Sequence, residues 1–357
     1  MTQHSLASIT TGSCLYLGID IGGANLKYAD ERGKTHSVDF PMWMRPDELA
    51  EQLVADFARF PATESLAITM TGELADCFLD RGEGVRRIVR AAQVAAEKRR
   101  IENVAFYSVD AVWRSSEQAI EHPDLVAAAN WHATAAWLAR ELASEGIPGM
   151  PKLGRALVVD IGSTTTDLIP IDPPHVLTRA QTDFDRLREG SLIYLGGHRT
   201  PICSLTSQLQ FEGREIPVMR EVFATMDDVR MLLGHCEEAP EDRASADGKP
   251  RDRFHAANRM ARMLGLDHRS VEIAQGVVLA EQIYAQVSRT IEAAIESLCD
   301  RFHLERLLML GHSQDLIGSA TRERFAAVDL KNVLSESIAR VGPAYAVAQL
   351  AQRDRAG

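Results

Sequence analysis

Apolar and polar residues follow two different periods along the chain, one typical of buried strands and one typical of helices. Residues 15–20 form a short apolar run that ends in an aspartate, a Gly22-Gly23 bend follows, and residues 25–30 come next. A β-rich run, a glycine bend and a second run predict a β-hairpin. Between residues 46 and 60, apolar side chains return every fourth position, which predicts a helix with one buried face.

The same two periods continue and alternate along the rest of the chain. Apolar runs predict strands at 66–72, 103–110 and 306–310, and helical periods predict helices at 83–100, 130–145, 271–299 and from 342 onward. Asn130 is the expected N-cap of its helix. Strands that alternate with helices are typical of an α/β layered fold, so we expect a sheet packed against helices.

A natural division of the chain lies at residues 146–154, which hold three glycines and two prolines. Such a composition is typical of a linker, and immediately after it residues 155–171 repeat the strand, turn and strand of the first hairpin. We therefore expect two domains, residues 1–150 and residues 154–357. Within the second, the acidic segment 225–252 shows little periodicity and is expected to be an inserted loop or lid.

The two hairpin sequences match each other residue by residue. In this register Asp20 lies on Asp160 and Gly22 lies on Gly162, and a repeated strand, aspartate and glycine turn is far more specific than one copy. Small residues allow the backbone N–H groups of a turn to approach an anion. The residues that we expect to contact phosphate groups are Gly22, Gly23, Asn25, Lys27, Gly162, Ser163, Thr164 and Thr165.

The two aspartates also predict a metal ion. A carboxylate repels phosphate directly, but it binds Mg²⁺ that bridges to phosphate oxygens. We therefore expect Asp20 and Asp160 to be catalytic residues that hold Mg²⁺ as the cofactor. Arg199, which follows a Gly-Gly pair, is a candidate bidentate ligand of a diphosphate, with a surface salt bridge as the alternative.

Composition excludes several classes of protein. The 357 residues carry 39 Lys and Arg against 50 Asp and Glu, a net charge of −11, and no basic block, so a nucleic-acid partner is not expected. Five scattered cysteines without a CxxC pair predict a reduced, cytoplasmic protein, and no run of apolar residues predicts a membrane span or a leader. His235 with Cys236, and His198 with Cys203, lack a second spaced pair, which favours ordinary loop residues over a metal site.

The duplicated hairpins resemble the two phosphate loops of the superfamily that includes actin, the Hsp70 ATPase domain and sugar kinases. This resemblance implies an α/β protein of two ribonuclease-H-like domains with a cleft between them. Nearly the whole chain is also similar to a hydantoinase/oxoprolinase-related family of tetrahydromethanopterin-linked C1-transfer pathway proteins. The segments that carry this resemblance, in the same order as in the family, are 18–27 (GIDIGGANLK), 127–133 (AAANWHA), 160–167 (DIGSTTTD), 199–201 (RTP), 221–225 (EVFAT) and 246–248 (ADG).

The family resemblance implies a transferase of methanofuran-type carrier biosynthesis. Such an enzyme joins a furan-methanamine diphosphate to a phenolic acceptor, of the glutamyl-tyramine or tyrosine type, and releases pyrophosphate. The expected partners are therefore small molecules. The sequence leaves open whether the protein forms a homo-oligomer. The base that takes the phenol proton is not identified by the sequence, and its candidates are Asp228, Asp247, Glu221 and His132.

Two other functions stay open at this point. One is an ATP-dependent small-molecule kinase or a hydantoinase/oxoprolinase-type hydrolase, and the other is a non-catalytic sensor of a phosphorylated metabolite. Kinases and ATPases of the superfamily carry a Gly-Gly turn that receives adenosine after a late strand, whereas this chain has Gly311-His312. Since His312 would crowd a nucleotide, the sequence favours a diphosphate that is not a nucleotide.

Overall fold

The computed structural model describes residues 16–144 and 153–356. The chain forms two units: unit 1 is Met1–Ser144 together with Ser335–Gly357, and unit 2 is Glu145–Leu334. Most of the expected linker, 146–152, lies outside the described residues.

Fourteen strands occur in the described residues. They are β1 (Tyr16–Ile21), β2 (Asn25–Asp30), β3 (Thr35–Asp39), β4 (Ser65–Met70), β5 (Asn103–Tyr107), β6 (Trp113–Arg114), β7 (Ala156–Ile161), β8 (Thr166–Asp172), β9 (His175–Val176), β10 (Leu192–Ile193), β11 (Gln208–Phe211), β12 (Arg214–Pro217), β13 (Leu307–Gly311) and β14 (Val328–Asp329).

Twelve α-helices occur in the same residues. They are α1 (Leu49–Phe57), α2 (Arg81–Arg99), α3 (Ser116–Glu121), α4 (Pro123–Val126), α5 (Asn130–Ala143), α6 (Asp183–Glu189), α7 (Met226–Leu232), α8 (Arg253–Arg262), α9 (Ile273–Phe302), α10 (Ser319–Arg324), α11 (Glu336–Arg340) and α12 (Gly342–Ala356). Single turns of 3₁₀ helix lie at Pro46–Glu48, Ile202–Ser204, Gln314–Leu316 and Leu330–Asn332.

Unit 1 contains a six-stranded sheet in the order β3-β2-β1-β4-β5-β6. The strands β1, β2 and β3 are antiparallel neighbours, whereas β4 and β5 run parallel to β1. The apolar side chains of β1 alternate in direction, and Leu17, Ile19 and Ile21 lie in one core with the buried faces of α1 and α2. The strand that carries Asp20 is thus fixed from one side by a packed apolar layer.

The other side of β1 is in contact with α12. A Cβ placed on Gly18 would lie 1.9 Å from the carbonyl oxygen of Ala344, so only glycine allows the helix backbone to come this close. The C-terminal residues Ser335–Gly357 therefore complete unit 1. This corrects the expected second domain, 154–357, whose last segment belongs to the sheet of the first.

Unit 2 repeats the strand order of unit 1. Its sheet has the order β10-β8-β7-β13-β14, with β7, β8 and β10 antiparallel neighbours and β13 and β14 parallel to β7. The first five strands of unit 1 have the same order and the same directions. The long helix α9 contributes more buried residues to the core beneath this sheet than any other helix, and α7 and α8 add to it. The expectation of two like α/β domains is confirmed.

The acidic segment 225–252 begins differently from the expected loop. Its first part is the helix α7, in which every residue is buried. Thr225 and Asp228 form a reciprocal capping box at its start, and the charges of the helix are absorbed by arginines from neighbouring segments. Periodicity failed here because Asp227, Asp228 and Arg230 lie inside the unit as ion pairs.

Two smaller features complete the description. The helix α5 begins at Asn130, as expected, but its N-cap is Ala129 and no side chain caps it. In the described residues, no helix is long and apolar enough to cross a membrane.

Candidate functional site

The turn of the second hairpin is the four-residue segment Gly162–Thr165 between β7 and β8. The N–H of Gly162 donates to the carbonyl of Thr165 at 2.9 Å, and the N–H of Gly22 donates to that of Asn25 at 3.0 Å in the first hairpin. Both turns therefore close with the same backbone hydrogen bond, and the sequence alignment of the two hairpins is confirmed as a structural one.

A second segment of unit 2, residues 196–200, lies against this turn. The N–H groups of His198 and Arg199 both donate to the Ser163 carbonyl, at 3.1 and 2.8 Å. A Cβ on Gly196 would lie 2.5 Å from the backbone nitrogen of Thr164, so this glycine permits the close approach. Because backbone hydrogen bonds join the two segments, their side chains are held at fixed positions relative to each other.

Side-chain contacts extend the same arrangement. The Arg199 Nε donates to the Thr164 hydroxyl at 2.9 Å, which places a guanidinium beside two hydroxyls of the turn. Ser163, Thr164, Thr165 and the turn glycine Gly162 are all partly exposed. The structure thus brings the expected phosphate ligands of the second hairpin and Arg199 into one place.

The loop after β13 packs against the end of β7. Gly311 has a positive φ of 77°, and a Cβ on it would lie 2.6 Å from the Asp160 Oδ1 and 2.3 Å from the carbonyl of Ile161. Glycine is required here both for the backbone angle and for space. His312 follows directly, and the centroid of its ring lies 4.9 Å from that of His198. Asp160 and two histidine-bearing loops therefore border the same turn.

His198 makes an ion-pair contact with α7. Its Nδ1 lies 2.8 Å from the Asp227 Oδ1, and Arg251 holds the same carboxylate through Nε at 2.6 Å and through a terminal nitrogen at 2.8 Å. Burial favours the neutral carboxyl, but the hydrogen bonds from His198 and Arg251 outweigh it and hold the pKa of Asp227 below its usual range. Asp227 is therefore a carboxylate that orients the imidazole.

One buried arginine ties these loops together. Arg230 is 2 % exposed and donates to the carbonyls of Gly197 and His312, both at 3.2 Å, while Asp315 binds its guanidinium at 2.8 and 3.1 Å. A guanidinium with this many acceptors is rigid, since its planar donors meet fixed partners. It therefore holds the 196–200 and 311–313 loops in register around the turn.

The first hairpin carries its charge differently. Asp20 is 3 % exposed, and Lys27 on the facing strand lies 3.6 Å from its Oδ2. The Oδ1 is buried with no hydrogen-bond partner among the described residues. Burial raises the pKa of Asp20, and the Lys27 ammonium opposes the rise. Gly23 and Asn25 form the turn beside it, where the Gly23 carbonyl accepts from Met42 at 2.9 Å.

At the position of Lys27 the second hairpin has Asp167. The β7–β8 register pairs Asp160 with Asp167, as the β1–β2 register pairs Asp20 with Lys27. Asp167 receives its cation from α6 instead, where the buried Arg186 lies 2.5 Å away. The two turns are thus alike in backbone and unlike in charge.

The remaining candidate bases lie in structural contacts. Asp228 accepts from the Thr225 N–H at 2.9 Å and from the Arg259 Nε at 2.7 Å, and Asp247 accepts from Arg259 and Arg262 at 3.2 Å. Burial raises the pKa of Asp228, which the Arg259 guanidinium opposes. These contacts favour a structural role for both carboxylates.

His132 and Glu221 are the other two candidates for the base. His132 is buried in α5 of unit 1, with its Nδ1 3.0 Å from the Tyr107 hydroxyl and its ring edge-on to Trp131. Glu221 is exposed at a turn where its carbonyl accepts from Phe223. No contact in the structure favours either as the base, and their roles stay predictions.

Metal binding can be tested on the donors themselves. Among residues 16–144 and 153–356, no group of three or more His, Cys, Asp and Glu side chains is arranged to hold a metal ion. Mg²⁺ generally needs only one or two carboxylates when substrate phosphates supply the other oxygens. Asp160, partly exposed at the turn, fits that pattern. Asp20 fits it less well, because the Lys27 ammonium already supplies a positive charge.

The sequence predicts the turn and Arg199 as parts of the site, but it does not predict His198 and Asp227. From the sequence, His198 is at most a candidate metal ligand, and Asp227 is one acidic residue of the expected loop. The available signal was the position of His198 directly after Gly196-Gly197, a pair that allows close backbone approach. The partner on α7 lies 29 residues further along, and no local pattern shows such a pairing.

Comparisons with known proteins extend over most of the chain. The family model described as hydantoinase/oxoprolinase matches residues 64–353. A curated protein of Methanocaldococcus jannaschii, named (4-{4-[2-(gamma-L-glutamylamino)ethyl]phenoxymethyl}furan-2-yl)methanamine synthase, is 30% identical over 342 residues, which are 95% of this chain and 98% of that protein. A protein of the same name from Methanococcus vannielii is 25% identical over 203 residues, 56% of this chain and 91% of that protein.

Among solved structures, a nucleotide-free acetone carboxylase is similar in fold. The match covers 94% of this chain and 70% of the acetone carboxylase chain, with a TM-score of 0.52 and 10% sequence identity. At this identity the likeness concerns the fold alone.

Proposed function

This chain belongs to the hydantoinase/oxoprolinase family, and from that premise we propose that it is a transferase that forms an aryl ether between a furan-methanamine diphosphate and a phenol. The observation that carries the proposal is the similarity to the Methanocaldococcus jannaschii synthase along 95% of the chain. The name of that relative describes a product in which a phenol oxygen is joined to a methylene group on a furan ring. The same class of product, a precursor of a methanofuran-type carrier, is the one that we assign here.

The bond changes are simple to write. The phenol oxygen forms a bond to the furfuryl methylene carbon, and the bond from that carbon to the diphosphate oxygen breaks, so that its electron pair leaves on pyrophosphate. The phenol proton passes to a base. The furan ring shares the positive charge that develops on the methylene carbon, so the enzyme mainly stabilises the leaving group and positions the phenol.

The second hairpin turn supports the leaving-group site. Backbone N–H groups, the hydroxyls of Ser163 and Thr164 and the Arg199 guanidinium all lie at one partly exposed turn. Donors of this kind that are fixed before the reaction bind the charge that grows on the leaving diphosphate. We therefore place the diphosphate at Gly162–Thr165 and Arg199.

Mg²⁺ is part of the proposal, and Asp160 would hold it. The ion would neutralise charge on the diphosphate oxygens. The chain's own contribution is to keep the Asp160 carboxylate at the strand end, where Gly311 leaves room for it. Arg230 keeps the bordering loops in place through the Gly197 and His312 carbonyls.

Mass spectrometry and pyrophosphate release test this function together. Purified protein is incubated with Mg²⁺, the 4-(diphosphooxymethyl) derivative of furan-2-ylmethanamine, and tyramine, γ-glutamyltyramine or tyrosine. We expect one ether product and one pyrophosphate per turnover with one of these phenols. The control reactions replace the diphosphate by the monophosphate, or omit the phenol. If no phenol gives an ether and no pyrophosphate is released, the proposal is wrong.

A parallel reaction addresses the ATP-dependent alternative. The same protein is incubated with ATP in place of the furan diphosphate, and with a hydantoin, 5-oxoproline or a sugar as acceptor. We expect no ATP turnover, because His312 occupies the position after Gly311 where the superfamily's nucleotide-binding members have glycine. Acceptor-dependent ADP formation would favour a kinase or an ATP-dependent hydrolase.

A further inference from the structure

In the described residues, His198 is the one imidazole that contacts both the expected leaving-group site, through Ser163, and an oriented carboxylate, Asp227. Its backbone N–H donates to the Ser163 carbonyl, so its Cα is fixed to the turn that we assign to the diphosphate. Its side chain is 29 % exposed. A phenol that attacks the carbon next to the bound diphosphate must approach close to this turn.

Asp227 fixes which nitrogen of the ring faces outward. With Nδ1 donating to Asp227 at 2.8 Å, the neutral imidazole carries its lone pair on Nε2. Arg251 holds Asp227 from the other side with two hydrogen bonds, so the carboxylate cannot turn away from the ring. This is the arrangement in which a carboxylate orients a histidine base and stabilises its charged form.

We propose that His198 is the general base of the ether-forming reaction, accepting the phenol proton at Nε2, and that Asp227 is its positioning residue. This inference rests on the proposed function. As the phenol O–H bond breaks, the oxygen forms its bond to the furfuryl carbon, and pyrophosphate leaves with the electron pair of the C–O bond. The imidazolium so formed is paired with Asp227 until it returns its proton to solvent.

The charged and titratable groups around the ring come from four segments. Asp227 lies on α7, Arg251 lies behind it, Arg199 is the next residue of the same loop, and the His312 ring lies 4.9 Å away on the loop after β13. The Cys236 thiol lies 3.9 Å from the Asp227 Oδ1, and burial raises its pKa to about 11, so it stays neutral.

His198→Gln is the first test, since glutamine keeps a donor toward Asp227 but is not a base. We expect kcat to fall by about 10²- to 10⁴-fold, the range typical of a lost general base, with KM for the furan diphosphate little changed. The wild-type profile of kcat/KM should fall at acidic pH, and the variant should lose that limb. The matched control is His175→Gln, on the exposed strand β9 of the same sheet, which should keep its activity.

His198→Ala provides a second measurement in case the glutamine variant binds substrate poorly. Added imidazole should restore part of its kcat in proportion to the unprotonated imidazole present. Full activity of either variant, or no rescue together with an unchanged pH limb, would overturn the base assignment.

The test of Asp227 must use a measurement that a purely structural role would not change. We expect Asp227→Asn to lower kcat in the wild-type background by less than His198→Gln does, and to cost little further in the His198→Gln background. Residues that act as one unit are non-additive in this way. Equal losses in both backgrounds would assign Asp227 to structure alone.

A measurement without turnover separates this inference from the proposed function. In protein labelled with ¹⁵N-histidine, with inorganic pyrophosphate and Mg²⁺ present, tyramine should shift the Nε2 resonance that disappears in His198→Gln. If the wild type forms no ether but this shift occurs, the proposed function fails and the contact between His198 and a phenol stands. If tyramine leaves the resonance unchanged, the base assignment is overturned whether or not ether is formed.

Discussion

The two hairpins of this protein have one backbone and two distributions of charge. Residues 21–30 and 161–170 have the same sequence of buried and partly buried positions, and their turns close with the same hydrogen bond. Asp20, however, is buried opposite a lysine, whereas Asp160 is partly exposed opposite another aspartate. Duplication has preserved the turn while the side chains around it have diverged.

This difference indicates a division of labour. In the first hairpin Lys27 on the facing strand forms an ion pair with Asp20. The turn packs beside residues 71–72, whose N–H groups donate to the Ile21 carbonyl. In the second hairpin the facing residue Asp167 is paired with Arg186 of α6, and Asp160 is partly exposed. A partly exposed carboxylate suits a metal-bound diphosphate better than a buried one beside a lysine.

Among changes within the two hairpins, the largest effect should come from Asp160→Asn. If the second hairpin carries the diphosphate, we expect kcat for ether formation to fall by about 10²- to 10³-fold, as when a charged or polar stabilising contact is removed from a transition state. The assay is pyrophosphate release at saturating substrates and varied Mg²⁺. Asp172→Asn is the control, because it lies on the same hairpin in an exposed pair with Arg155. Full activity of the Asp160 variant would place the reaction elsewhere.

Arg186→Met should have the next largest effect, on stability. It would leave the Asp167 carboxylate without its buried cation, and breaking such a pair from one side costs about 3 kcal/mol or more. Urea unfolding measures this cost. Arg188→Met, on the exposed face of the same helix, should change the free energy of unfolding by less than about 0.5 kcal/mol.

The double variant Arg186→Met with Asp167→Asn refines this test. It removes the stranded charge, so it should recover part of the loss. If the double variant has the same free energy of unfolding as Arg186→Met alone, then Arg186 stabilises the fold through its packing instead of its charge.

A smaller effect on stability is expected from substitutions at the two turn glycines. A Cβ on Gly22 would lie 2.7 Å from the Asn25 carbonyl, whereas one on Gly162 would lie 3.5 Å from the Thr165 carbonyl. We expect Gly22→Ala to destabilise by about 1–3 kcal/mol through crowding, and Gly162→Ala to stay within about 0.5 kcal/mol. Thermal unfolding of the two variants compares them directly. Equal losses would show that the two turns are equally tight.

The smallest effect concerns Asp20 and pH. Since burial raises the pKa of Asp20, the folded state binds its proton more tightly than the unfolded state, and stability falls as the pH rises above 3.8, the ordinary value. Asp20→Asn should therefore have a Tm slightly above wild type at pH 7, and the gap should narrow near pH 4. Asp39→Asn, exposed on the same sheet, is the control. A lower Tm for Asp20→Asn at pH 7 would mean that the Lys27 pair outweighs burial.

Much of the fold was available from the sequence because local signals agreed with it. The helix expected at 83–100 is α2, and the strand expected at 66–72 is β4, each within two residues at either end. The repeated aspartate and glycine turn identified the two like domains. Family resemblance predicts an enzyme of methanofuran-type biosynthesis, and the 30% identity to a protein named as a synthase agrees with that coarser prediction.

The features that the sequence does not predict depend on contacts between distant segments. No sequence signal near Gly18 indicates that α12 covers it, so the sequence alone places the C-terminal segment in the second domain. The sequence does not predict α7, because its charged residues are buried against arginines further along the chain. The contact of His198 with Asp227 depends on the position of α7, so no local pattern predicts it either.

The return of the C-terminal segment to unit 1 has a consequence for synthesis on the ribosome. Unit 2, continuous from Glu145 to Leu334, is translated before α12, so its sheet can form first. The hairpin of β1 and β2 is translated earlier still, yet it keeps an uncovered strand at Gly18 until α12 has been made. During that interval the uncovered strand exposes apolar surface, which favours aggregation of the nascent chain.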